Sequence, residues 1–128
     1  MKILEKVKAL GFDGVEFAGY GGVEPDVLRA KLDELGLVAV GTHADIDCFR
    51  EDKIEETIAL GKTLGMKYMG VGGAPHATKE EVEEIKTVFA KANEIGAKHD
   101  MKFYYHNHTE EFEMSFDGKL CMDCIAEG

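Results

Sequence analysis

The chain has 128 residues, with 15 Lys plus Arg against 25 Asp plus Glu, for a net charge of −10. So acidic a chain repels polyphosphate, which excludes nucleic acid as a partner unless a metal intervenes. No apolar run approaches the ~20 residues of a membrane span, and the opening Met1-Lys2-Ile3-Leu4-Glu5-Lys6 reads as the start of a helix and not as a signal peptide, so the expected location is cytoplasmic, without membrane contact.

In chain order, a helix with Ile3, Leu4, Val7 and Leu10 on one face runs into Ala9-Leu10-Gly11-Phe12-Asp13-Gly14-Val15. A second, opened by Glu24-Pro25-Asp26 and lined by Val27, Leu28, Leu32 and Leu35, runs into Glu34-Leu35-Gly36-Leu37-Val38-Ala39-Val40. A third carries Ile54, Ile58 and Leu64, with Ala59 and Leu60 beside them, and ends at Thr63-Leu64-Gly65-Met66-Lys67-Tyr68-Met69. A fourth opens on the capping box Thr78-Lys79-Glu80-Glu81, carries Val82, Ile85, Phe89, Ala92 and Ile95, and meets a degenerate copy, Lys98-His99-Asp100-Met101-Lys102-Phe103-Tyr104. The anchors Gly11, Gly36, Gly65 and Asp100 recur at the length of one strand–helix unit. Each copy has the same logic: a helix, a residue suited to positive φ, then a short apolar strand.

The strands fall at about 14–18, 38–42, 68–71 and 103–106. Their alternation with helices predicts a parallel sheet with right-handed crossovers. Periodicity leaves open whether the sheet is doubly wound or belongs to a barrel. No GxGxxG or P-loop follows any strand. Gly70-Val71-Gly72-Gly73 reads as a tight turn, and the acidic stretches 51–56 and 79–84 read as solvated helix faces. Cys48, Cys121 and Cys124 make no disulfide framework. Cys121-Met122-Asp123-Cys124 lacks a second pair for zinc and the strand-then-helix setting of a redox motif, so incidental thiols are expected.

In parallel α/β folds chemistry sits beyond the carboxyl ends of the strands. Here those ends carry Glu16; His43 with Asp45 and Asp47; His76; and His106-Asn107-His108 followed by Glu110, Glu111 and Glu113. Imidazoles and carboxylates at a common mouth can hold a divalent metal or move protons. Phe103-Tyr104-Tyr105 reads as wall and core, and His76 and His99 as surface.

The phrases Gly14-Val15-Glu16-Phe17-Ala18-Gly19-Tyr20-Gly21-Gly22, Thr42-His43 and Tyr105-His106-Asn107-His108 with Glu111-Phe112 resemble, in this order, the xylose-isomerase-like TIM barrels, the sugar-phosphate isomerases and epimerases. The resemblance runs along nearly the whole chain. It implies a single partial (β/α)₈ barrel over residues 1–128, with four parallel βα units equivalent to strands two to five. It also implies a divalent metal (Mn, Mg, Zn or Co) at the barrel mouth, with only part of its site in this chain. His106 stands where the family has a metal-binding Glu; Thr109 and Glu110 depart from the acidic-aromatic pair often found there. By the same resemblance Glu16, His43 and His108 are candidate catalytic residues, and Tyr20, Asn107 and Glu111 candidate substrate-binding residues. Phe116-Asp117-Gly118 is expected to be a loop, and 119–128 the start of a further helix.

A full barrel takes roughly 250 residues. A half leaves two open sheet edges, which predicts self-association such as a homodimer that completes the barrel. The implied activity is metal-assisted proton transfer beside the carbonyl of a sugar or sugar phosphate. An inactive carbohydrate-binding or structural half-barrel is the alternative. An endonuclease IV-like metal nuclease is disfavoured by the acidic balance.

Overall fold

The computed structural model describes residues 1–127. Helices and strands alternate as α1 (Lys2–Ala9), β1 (Gly14–Phe17), α2 (Pro25–Leu35), β2 (Val38–Asp45), a 3-10 turn (Ile46–Phe49), α3 (Ile54–Leu64), β3 (Tyr68–Gly73), α4 (Lys79–Ala97) and β4 (Lys102–Tyr105). All neighbouring strands pair in parallel, in the order β1-β2-β3-β4. Right-handed crossovers in strictly sequential order put every helix on the same face of the sheet. That is the winding of a barrel, and it resolves the choice that periodicity left open.

The repeat anchors do what their spacing predicts. Gly11, Gly36, Gly65 and Asp100 all take positive φ, at 90°, 62°, 76° and 55°. At Gly36 and Gly65 the backbone closes the same way: Leu37 N–H donates to Leu32 C=O at 2.9 Å and Met66 N–H to Gly61 C=O at 2.8 Å. Those bonds satisfy the last helical carbonyls and turn the chain into the next strand. The Thr78–Glu81 capping box forms in both directions.

The core lies between the sheet and the helices. Ala39, Met69 and Val71 from the strands meet Leu28, Leu32, Ile54, Ile58, Val82 and Ile85 from the helices. Three expected stripe residues stay outside it: Ile3, Leu10 and Val27 are 75%, 76% and 54% exposed. α1 packs on α2, and its apolar stripe is covered at Leu4 and partly at Val7. Two boundaries also move. β2 continues through His43 to Asp45, and Gly70–Gly73 is strand and not a turn. His43 and Ala44 pair with Gly70 and Val71, which holds both segments extended.

After β4 the chain forms a short helix α5 (Glu110–Glu113), a hairpin of β5 (Ser115–Phe116) and β6 (Lys119–Leu120), and α6 (Cys121–Ala126). The loop expected at Phe116–Gly118 is the hairpin turn, with Asp117 and Gly118 both at positive φ as a two-residue turn of this hand requires. α6 starts two residues later than expected, at Cys121, directly after a strand. The Cys121-x-x-Cys124 pair therefore does open a helix, contrary to the setting read from sequence. Cys121 is nonetheless fully buried and free; burial, then the nearby Glu111 charge, pushes its thiol up and away from the reactive thiolate.

Candidate active site on the inner sheet face

The face of the sheet turned away from the helices carries the candidate residues. Glu16 stands on β1, His43 on β2, Tyr104 on β4, and His106 just past β4, where its N–H continues the ladder to Val71 C=O at 2.9 Å. The Tyr104 hydroxyl donates to Glu16 Oε1, and His43 Nε2 lies 3.0 Å from the same oxygen. With hydrogen on Nε2, His43 is the second donor to this carboxylate. The Tyr104 hydroxyl also lies 3.4 Å from Thr42 C=O. Burial, then the Glu16 carboxylate beside it, pushes the Tyr104 phenol well above its ordinary range, so Tyr104 stays a proton-bearing donor.

Glycines make the room for this arrangement. A methyl group at Gly70 would lie 2.3 Å from the Tyr104 ring, and one at Gly41 2.9 Å from its hydroxyl. At Gly72 it would lie 2.7 Å from His43 Cβ. The Tyr104 ring thus lies flat across the two middle strands. Tyr104 was read from sequence as wall; the signal for its role was glycine inside two neighbouring strands, where a glycine marks the close approach of another group.

At the carboxyl ends the imidazoles gather. His43 and His106 have ring centroids 4.1 Å apart, and His106 and His108 4.9 Å apart. With Ala18, Asp45 and Gly72 they line a cavity of about 300 Å³. A larger groove of about 430 Å³ lies on the outer layer, between Phe49, Arg50, Thr87 and Lys91, away from these groups.

The remaining expected residues lie elsewhere. Glu111 is 0% exposed: its carboxylate accepts from the Tyr105 hydroxyl at 2.9 Å and the His108 N–H at 2.8 Å. Burial opposes its ionisation, but the amides of Glu111 and His108, the Tyr105 hydroxyl and His76 outweigh burial and hold it below the usual carboxylate range. Glu111 therefore fixes the His106–His108 segment from beneath and does not face the mouth. Tyr20 packs on Phe17, with its hydroxyl buried and without a partner. Asn107 is exposed and donates to His108 C=O at 3.2 Å. Asp47 is held on the outer side by Arg50 at 2.7 Å, and His99 by Glu55 at 3.3 Å. His76 is half-buried, its Nδ1 2.8 Å from Ala74 C=O.

The divalent metal implied by resemblance does not fit these residues alone. Among the described residues no three His, Cys, Asp or Glu side chains converge on one point. His43 Nε2 is turned to Glu16, and the rings of His43, His106 and His108 pack on one another. A zinc site takes three or more protein ligands.

Four sequential parallel βα units with polar groups at the strand ends define half of a TIM barrel with one side of a barrel mouth. Solved structures share this fold. A sugar phosphate isomerase/epimerase from Parabacteroides distasonis superposes with a TM-score of 0.80 at 17% identity, over 98% of this chain and 54% of that one. An AP endonuclease, family 2, from Brucella melitensis gives 0.71 at 16% identity, over 81% and 48%. The IolI protein with a bound zinc atom gives 0.61 at 18% identity, over 82% and 45%. The chain spans about half the length of each. No protein-family model and no curated protein sequence matches it. At the level of fold, the expected partial (β/α)₈ barrel is borne out.

Proposed function

We propose that this chain supplies one side of the active site of an isomerase or epimerase acting on a sugar or sugar phosphate. One observation carries the reading: the Glu16 carboxylate, on the inner face, held by the Tyr104 hydroxyl and facing His43 Nε2. A carboxylate so oriented can take the proton from the carbon beside a carbonyl and return it to the neighbouring carbon. Tyr104 and His43 keep one Glu16 oxygen occupied and leave the other for the substrate proton. His106 and His108, with the cavity before them, would hydrogen-bond the sugar oxygens or a phosphate. The barrel fold shared with a sugar phosphate isomerase/epimerase supports the substrate class.

The test is deuterium wash-in. Aldose and ketose sugars and their phosphates are incubated with the chain in D₂O, with and without Mn, Mg, Zn or Co, and exchange at the carbon beside the carbonyl is followed by NMR. The wild type should catalyse exchange, and Glu16→Gln should lose it by roughly 100-fold or more. No exchange by the wild type under any of these conditions defeats the reading. It would then favour an inert carbohydrate-binding half-barrel, which the lack of a three-donor group among the described residues already suits.

A further inference from the structure

We propose that Cys121 and Cys124 form a reversible dithiol–disulfide site on the outer layer of the fold, oxidised by a small-molecule disulfide. The pair opens α6 directly after β6, with two residues between the cysteines. In a helix, residues three apart share a face, and their Cα atoms lie about 5 Å apart, inside the range that a disulfide spans. Their Cβ atoms stand roughly 1–2 Å further apart than a disulfide prefers. Closing the bond therefore tightens the first turn of α6, and a bridge under such strain is the easily reduced kind.

The two thiols have unequal access, which gives the exchange an order. Cys121 is 0% exposed, and its N–H donates to Met114 C=O at 2.9 Å, which ties the start of α6 to the end of α5. Cys124 is half-buried and lines a cavity of about 250 Å³ between α4, the β5–β6 hairpin and α6. Val82 and Lys86 of α4 and Phe116 and Lys119 of the hairpin form its other walls, so the approach to Cys124 is shaped by this stretch of chain. Cys124 is therefore the attacking thiol. It gives up its proton, and its Sγ bonds to one sulfur of the small disulfide; that S–S bond breaks and one thiol leaves with a proton. Cys121 then gives up its proton and attacks Cys124 Sγ, so that the Cys121–Cys124 bond forms and the second thiol leaves with a proton. Two cysteines are oxidised and one disulfide is reduced to two thiols. Cys48, on the 3-10 turn after β2, has no second cysteine within a helical turn and serves as the internal comparison. The site uses none of the groups of the inner sheet face and does not rest on the proton-transfer reading.

The wild-type chain is held in oxidised glutathione, its remaining thiols are alkylated, and it is cleaved after Lys119. Fragment 120–128 then carries Cys121 and Cys124 together, while Cys48 leaves on another fragment. Mass spectrometry of 120–128 should show the loss of two hydrogens and no bound glutathione, reversed by a dithiol reductant. Cys121→Ser should stop with one glutathione on Cys124. Cys124→Ser should take up glutathione roughly 100-fold more slowly, because only the buried thiol is left. A wild-type fragment that keeps both thiols overturns the proposal. So does one that retains glutathione, or one bridged to a second copy of the chain. Equal uptake by the two variants overturns the assigned order. If either variant loses its far-ultraviolet circular dichroism, early time points of the wild type decide: the first adduct should sit on Cys124, and a first adduct on Cys121 overturns the proposal.

Discussion

Tyr104 on β4 donates its hydroxyl to Glu16 on β1, although two strands lie between them. Across a flat sheet those strands would be roughly 14 Å apart. The bond forms because the sheet curves toward its inner face and because Gly70 and Gly41 leave the ring a path across the middle strands. One hydrogen bond therefore reports both the barrel curvature and the assembly of the site.

Gly70→Ala should break this arrangement. The new methyl would meet the Tyr104 ring at 2.3 Å, so the ring must leave or the strand must shift. The expected loss is about 1–3 kcal/mol, the usual range for an overpacked site. The same change in a Tyr104→Ala background should cost much less, and denaturant melts of the four proteins of the cycle measure the difference. Equal costs in the two backgrounds would show that Gly70 serves something other than the ring.

Tyr104→Phe keeps the ring and removes the donor. Stability should fall only by about 0.5–1.5 kcal/mol, the net worth of one hydrogen bond, and toward the low end because Glu16 is partly solvated. Proton exchange on the substrate should fall further than stability does, since Glu16 would keep only His43 to orient it. A variant with wild-type exchange kinetics would remove Tyr104 from the chemistry.

Glu111 governs the acid limb of stability. Its folded pKa lies below the ordinary 4.5, so its contribution is fully present above that value and is lost as pH falls through the lowered folded value. Wild-type stability should therefore drop with acid below about pH 4.5. Glu111→Gln should be less stable at pH 7 by about 1.5–3 kcal/mol and should show a flatter acid limb. Chemical denaturation at pH 3.5 to 7 checks both; an unchanged slope would assign the acid limb to other carboxylates.

Two equivalent repeat anchors should respond differently to the same change. Gly36 and Gly65 both sit at positive φ after a helix, so alanine at either should cost about 1 kcal/mol. At Gly36 a methyl meets open space, whereas at Gly65 it would run into Arg29, whose guanidinium donates to Leu64 C=O at 3.1 Å. Gly65→Ala should therefore be the more destabilising in thermal melts, and equal losses would mean that Arg29 swings aside freely.

Much of the fold was legible along the chain. Four anchors at strand–helix spacing marked the units, and the helix ends followed from glycine and the Thr78–Glu81 box, because these signals are local and act within one turn. Legibility failed where a distant strand decides. His43 and Gly70–Gly73 read as a strand end and a turn, and they became strand by pairing with each other. Ile3 and Leu10 read as core, and they remain outside because burial needs a neighbour that a periodic pattern cannot supply.

By itself, then, the sequence determined the repeat, the parallel alternation, the acidic surface and the inventory of Glu16, His43, His106 and His108. Which of those groups touch was decided only in three dimensions. Curvature brought Tyr104 to Glu16 across two strands, and burial turned Glu111 from a candidate substrate-binding residue into the prop beneath His108. The physical reason is range. Helix caps and side-chain periodicity are settled by residues a few positions apart, whereas a shared proton or a buried carboxylate depends on atoms that only packing brings within 3 Å.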